Sequence, residues 1–189
     1  QRIVTEQSIF EVSGVGYDPH GSFSRKEEDI IPKDYPELIH LLRVALLCND
    51  ASLNKINEKW RIAGDPTEGA LITLGIKAGL DLSLEKESFP RIDTIPFESE
   101  HRFMATLHHN HRGRGFIYLK GAPEIVLKMC TFQNTAEGFR AIDTKYWQNH
   151  ITNGAEQGLR LIGVAYKLVS TSQHELQFSN VKEDLILLG

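Results

Sequence analysis

The chain has 189 residues, 41% of them hydrophobic and 24% charged. A chain of this size can bury roughly 70% of its unfolded surface, so it needs neither disulfides nor metal to fold, and its composition excludes wholesale disorder, collagen-like repeats and a disulfide scaffold. The net charge of −4 argues against a broad nucleic-acid surface, which needs a basic field, but leaves room for a small phosphate pocket built from a few lysines and arginines.

No apolar run approaches the length that crosses a bilayer; Val44–Cys48 is among the longest. The N-terminus mixes charge and polarity from the first residue and has no leader pattern. Cys48 and Cys130 are expected as buried, reduced thiols. The chain opens on Gln1 and stops straight after the apolar Leu185–Leu188. The expectation is therefore one domain, residues 1–189, excised from a longer protein.

In chain order, Ser8–Ser13 reads as a strand, followed by the breakers Gly14, Gly16, Pro19 and Gly21. Arg25–Asp29 reads as a charged loop. Pro32 and Pro36 bracket a helix start, and Leu38, Leu41, Leu42, Ala45 and Leu46 recur at helical spacing over Glu37–Leu47. Asn49, Asp50 and Ser52 end that helix or begin a turn. A second helix has an N-cap at Asp65, Pro66 at N1, Glu68 at N3 of a capping box, and a stop at Gly79. Ile92–Phe97, Phe103–His108 and Phe116–Leu119 read as strands, the last two pairing as a hairpin across Gly113–Gly115. Helices are expected over Glu124–Cys130, started by Pro123, and over about Thr144–Gln157. A final strand covers Leu161–Lys167. The mixture of hairpins and helices indicates an α+β fold with a mainly antiparallel twisted sheet flanked by helices.

Several chemical signals fail. There is no P-loop, and Gly14-Val15-Gly16-Tyr17-Asp18-Pro19 places proline where a dinucleotide fingerprint needs its third glycine. His101, His108, His109 and His111 could suggest a metal site. Their setting between two strand-like runs fits a polar hairpin tip better, and no cysteine or carboxylate completes a zinc set. No G-x-S-x-G is present, and neither cysteine has an activating neighbour in sequence. Asp65 and Glu68 are explained locally by the capping box, although an N3 glutamate can cap and still offer an acceptor to a ligand.

Four segments remain: Gly64-Asp65-Pro66-Thr67-Glu68-Gly69-Ala70-Leu71, Pro96-Phe97-Glu98-Ser99-Glu100-His101-Arg102-Phe103-Met104, Lys120-Gly121-Ala122-Pro123-Glu124 and Gly158-Leu159-Arg160. Each has a bland reading alone. Together and in this order they resemble the nucleotide-binding domain of P-type cation-transporting ATPases, most nearly the branch of the calcium and sodium/potassium pumps. The resemblance runs over nearly the whole chain, including the Leu47-Cys48-Asn49-Asp50-Ala51 turn and Asp184–Gly189.

The resemblance implies that Phe97 stacks on adenine, a task suited to a flat apolar ring and worth ~1–3 kcal/mol. It implies that Lys120 lines the same pocket, with Gly121 letting the nucleotide approach the backbone. Arg102 stands where relatives commonly carry lysine, which alters the donor geometry toward phosphate. Glu68 would accept from the adenine amino group or its surroundings, Arg160 would hold the ribose or phosphate side, and Met104 would pack near the ring. Ser99 occupies a position where some relatives have a phosphate-contacting arginine.

The D-K-T-G-T and G-D-G-x-N-D motifs of the family do not occur in the sequence. By this resemblance the chain grips ATP, ADP or AMP through the adenosine without hydrolysing ATP. Magnesium and the phosphorylated aspartate would belong to other parts of the parent pump. The implied partners are its phosphorylation and actuator domains, with no nucleic acid and no direct membrane contact, and the implied location is the cytoplasmic side of an integral membrane protein. Affinity is expected on the order of 0.1–1 mM. The alternatives are a regulatory or interaction module that kept the fold but lost the nucleotide, and an unrelated metal-binding protein built on the histidine cluster.

Overall fold

The computed structural model describes residues 1–189. Strands β1 (Arg2–Val4), β2 (Ile9–Val12), β3 (Phe23–Arg25) and β4 (Glu28–Ile30) form a four-stranded antiparallel sheet in chain order. The expected strand at Ser8–Ser13 is β2. The charged loop expected at Arg25–Asp29 is instead a tight β3–β4 hairpin, with Lys26 and Glu27 at φ of 52° and 67°. Two-residue hairpins of this kind need positive φ and usually advertise it with glycine or asparagine; this one has neither, so the sequence carries no turn signal.

Helix α1 (Pro36–Leu47) buries Leu38, Leu41, Leu42 and the whole of Val44–Leu47. Each fully buried leucine stabilises the fold by about 1.5–3 kcal/mol. A second unforeseen hairpin, β5 (Ser52–Ile56) with β6 (Lys59–Ala63), again turns through two non-glycine residues of positive φ, Asn57 and Glu58. Helix α2 (Pro66–Lys77) starts where expected: the Asp65 carboxylate accepts from the Thr67 and Glu68 amides at 2.8 and 3.2 Å. It ends as a Schellman motif, in which Leu80 N–H bonds Gly75 O, Gly79 N–H bonds Ile76 O, and Gly79 takes φ of 87°. Helix α3 (Leu82–Ser88), capped by Asp81, was not foreseen.

The rest of the chain builds a seven-stranded sheet. Its strands are β7 (Arg91–Ile95), β8 (Phe103–His109), β9 (Gly115–Gly121), β10 (Cys130–Thr135), β11 (Gly138–Ala141), β12 (Gly163–Val169) and β13 (Leu185–Leu187), with helices α4 (Pro123–Met129) and α5 (Thr144–Glu156) between them. The order is β11-β10-β13-β12-β9-β8-β7, antiparallel except for the β10–β13 pair. This is the α+β, mainly antiparallel architecture expected, with the β8–β9 hairpin in place. The strand expected to run to Phe97 stops at Ile95, because Pro96 cannot donate to a ladder.

Successive side chains on a strand face opposite ways, and both faces of this sheet are covered. Met104, Tyr118, Val164 and Tyr166 join α1 and the N-terminal strands in one core. Ala105, Leu107, Ile117, Leu119 and Ala165 join Val126, Leu127 and Trp147 from α4 and α5 in the other. Both thiols are buried and free; burial pushes the Cys130 thiol up to about 12.

The histidines do not form one tip. Only Asn110–Arg114 makes the turn, where the Asn110 side chain accepts from the Arg112 and Arg114 amides. His108 is buried, with Nδ1 2.9 Å from Phe89 O and Nε2 2.8 Å from the Thr106 hydroxyl. His101, His109 and His111 each bond a different backbone carbonyl, those of Pro96, Gln173 and Glu87. No group of three histidine, cysteine or carboxylate side chains is assembled that could hold a metal ion.

Burial holds His40 and His108 down to about 4, against about 6.5 in an unfolded chain. Between those values the unfolded state binds more protons, so the stability these two groups contribute is complete above pH 6.5 and is lost as pH falls through 4. The urea midpoint is expected to drop steadily between pH 7 and 4.5. A flat profile over that range would contradict two buried neutral imidazoles.

Candidate functional site

Register brings four chain segments to one end of the large sheet. Phe103 and Gly163 both pair with Gly121, so β8 starts, β9 ends and β12 starts at the same edge. The loop carrying Phe97, Ser99 and Arg102 enters β8 there. Lys120 and Gly121 finish β9 there. Arg160 leads into β12, and α2 brings Glu68.

The centre is a buried ion pair. Lys120 Nζ lies 2.5 Å from Glu68 Oε1, and the two side chains are only 8% and 15% exposed. The capping box is thus only half realised: Asp65 caps the helix, while Glu68 turns away from the N-cap, giving one oxygen to Lys120 and the other to the Asp50 amide at 3.3 Å. Desolvation on this scale is tolerated because each charge has an opposite partner; either alone would be strongly disfavoured. Beneath the pair, the Cys48 thiol has the Met104 and Tyr118 carbonyls as acceptors. Burial pushes that thiol up, against the opposing pull of the Lys120 charge.

A second ion pair ties two of the motifs together. Arg102 Nη1 is 2.7 Å from Glu124 Oε1 on α4, with both side chains about half exposed. Arg102 itself sits at φ of 58°, with its amide bonded to Glu98 O and its carbonyl accepting from the Ala122 amide. Gly121 has a structural reason for lacking a side chain, since a Cβ there would come within 2.5 Å of Arg102 O and 2.7 Å of Phe103 Cβ. Close approach of β8 therefore explains this glycine without a ligand.

The Gly158-Leu159-Arg160 segment is the C-terminal cap of α5. Gly158 takes φ of 69°, and Leu159 N–H bonds Gly154 O, so the cap sets the direction of Arg160. Arg160 is exposed and reaches Asp65 electrostatically. Burial works to raise the Asp65 carboxyl, but the Glu68 and Thr67 amides, the Thr67 hydroxyl and the Arg160 charge hold it below the usual carboxylate range.

Phe97 is 57% exposed, an unusual state for a phenylalanine. Ser99 lies in the exposed turn beside it. Met104 differs from them in burial: it is 1% exposed and belongs to the core with Tyr118 and Val164, directly opposite Lys120 across β8–β9. A cavity of about 750 Å³, mostly apolar, lies between α2, α5 and the start of β12; it takes in Thr67 and Arg160 but not Glu68, Phe97, Arg102 or Lys120. Sequence reasoning missed Asn49 and Asp50, which bond Glu68, and Arg91, which bonds the turn that carries them. The Leu47–Ala51 turn in the family resemblance hinted at Asn49 and Asp50; nothing hinted at Arg91.

Comparison with known proteins assigns this fold and set of motifs to a family. Residues 37–189 match the family described as P-type ATPase, cytoplasmic domain N. The chain is 38% identical over 186 residues to the cation-transporting ATPase pma1 of Synechocystis sp., covering 95% of this chain and 20% of that protein. It is 30% identical over 184 residues to a calcium-transporting ATPase of Bacillus subtilis, covering 94% of this chain and 20% of that protein. It is 34% identical over 192 residues to a probable cation-transporting ATPase F of Mycobacterium bovis, covering 100% of this chain and 21% of that protein. The chain belongs to the cytoplasmic N-domain family of P-type ATPases, and it spans about a fifth of the length of these relatives. None of its helices is long and apolar enough to cross a membrane.

Proposed function

We propose that this chain binds the adenosine part of ATP on behalf of a P-type cation-transporting ATPase and presents the γ-phosphate to an aspartate elsewhere in that pump. The observation that carries the reading is the buried Lys120–Glu68 pair at the same sheet end as the exposed Phe97. Phe97 supplies a face for the purine. Lys120 and Glu68 offer a donor and an acceptor in a desolvated place, where hydrogen bonds to a ligand are worth more than in water. Arg102 and Arg160 are the cations on the exposed side. Arg102 is shared with Glu124, so a phosphate would compete with a carboxylate for it.

Phosphoryl transfer needs an in-line nucleophile and magnesium against the phosphates. No cluster of ligating side chains in this chain gathers to hold such an ion. Magnesium would arrive with the nucleotide and be held by residues of the phosphorylation domain, where it would offset the charge of the transferred phosphoryl group.

A ¹⁵N-NMR titration with ATP, and with AMP in parallel, tests the reading. Saturable shifts are expected at Phe97, Glu68, Lys120 and Arg160, similar for both nucleotides, with Kd on the order of 0.1–1 mM. Steady ATP hydrolysis by the pure chain is not expected. An absence of shifts at several millimolar nucleotide would sink the proposal and leave the family fold without its ligand.

A further inference from the structure

The Leu47–Ala51 turn is held by a residue far away in sequence. Arg91, the first residue of β7, donates through Nη2 to Leu47 O at 2.9 Å and to Asn49 O at 2.6 Å, and through Nη1 to the Asp50 carboxylate at 2.5 Å. A guanidinium can serve three acceptors at fixed angles; a lysine ammonium in its place could not reproduce that fork. The chain breaks register between Arg91 and Asp93, so a bulge separates this residue from the regular ladder.

The clamped turn grips Glu68 at two points. The Asn49 side chain, itself 4% exposed, donates to Glu68 O at 2.9 Å, and its own oxygen accepts from the Ala51 amide. The Asp50 amide donates to Glu68 Oε2 at 3.3 Å. Glu68 then presents Oε1 to Lys120. An unbroken series of hydrogen bonds thus runs from Arg91 through the turn to the buried pair.

We propose that Arg91 is a positioning residue for the nucleotide pocket: by locking the Leu47–Ala51 turn it sets the carboxylate of Glu68 and, through it, the ammonium of Lys120. This rests on the reading of Glu68 and Lys120 as nucleotide contacts. Arg91 touches no ligand; its effect passes through Glu68 alone.

The test is a double-mutant cycle on ATP affinity, using Arg91→Lys, Glu68→Gln and the double variant of this chain, with the Asp50 amide resonance as a local probe. Arg91→Lys keeps a cation beside Asp50 and is the folding-safe variant; the more drastic Arg91→Ala is added where its ¹⁵N spectrum is native. Arg91→Lys is expected to weaken ATP binding about five-fold in the wild-type background and less than about two-fold in the Glu68→Gln background, because coupled neighbours are non-additive. It is also expected to move the Asp50 amide resonance. Equal fold-changes in both backgrounds, or an unmoved Asp50 resonance, would overturn the proposal, since Arg91 would then act on the fold in general. If Glu68→Gln and Lys120→Ala both bind ATP as wild type does, the pocket reading itself fails and the proposal goes with it. If those two weaken binding and Arg91→Lys does not, the pocket stands and the positioning role is wrong.

Discussion

Phe97→Ala is expected to remove most ATP and AMP binding while leaving the fold intact. The ring is 57% exposed and lies outside both core clusters, so its removal should change stability by no more than about 0.5 kcal/mol. Its stacking contribution of ~1–3 kcal/mol is a large share of a millimolar-range affinity, which totals only about 4–5.5 kcal/mol. The mutant Kd should therefore rise about 5- to 150-fold, with an unchanged urea midpoint. Phe97→Trp should bind, because it keeps a flat π-face. A Phe97→Ala protein that binds like wild type would remove adenine stacking from the mechanism. One that unfolds would show that the ring supports the structure in a way its exposure does not reveal.

The second large effect concerns the Lys120–Glu68 pair. Glu68→Leu strands an ammonium at a site where only 8% of the lysine side chain meets solvent, and breaking a buried pair from one side destabilises by about 3–5 kcal/mol. Joint replacement, Glu68→Leu with Lys120→Met, removes both charges at similar volume and should recover most of that loss, since a packed apolar pair often equals a buried ion pair in stability. ATP binding should not recover, because the donor and acceptor are gone. Urea unfolding and ATP titration on the two proteins separate these quantities. Restored stability with restored binding would show that the pair serves the fold alone. Stability that stays low in the double variant would mean the charges contribute more than their desolvation costs.

Local chemistry made much of this protein legible. The α1 and α2 helices announce themselves through apolar spacing and through the Asp65-Pro66 start, and the β8–β9 hairpin through two apolar runs around a glycine turn. The β3–β4 hairpin was not legible, since Lys26-Glu27 hold positive φ with neither glycine nor asparagine, and the β5–β6 turn carries only Asn57 as a signal. The β10–β11 hairpin and β13 escaped for a different reason. β13 has only three residues, and it is a strand because β10 and β12 flank it on either side. His108 read as part of a polar tip; the cover of Phe89 and the Thr106 hydroxyl make it a core residue.

The same division runs through the site. Motif order alone named Glu68, Phe97, Ser99, Arg102, Met104, Lys120, Gly121 and Arg160, because each motif is a short local device: a helix cap, a strand end, a turn. Which of them meet was decided by tertiary structure. Glu68 and Lys120 are 52 residues apart in sequence, and whether Glu68 capped its own helix or crossed to Lys120 depended on the fold bringing the first turn of α2 to the end of β9. Met104 went to the core, Gly121 proved necessary to β8 as neighbour, and Arg91 joined the site without any motif of its own. Sequence determines the choices that one turn of chain can settle, through dihedral preference, capping and apolar period. Contacts between distant segments rest on sheet register and on the desolvation of paired charges, and those exist only once the chain has folded.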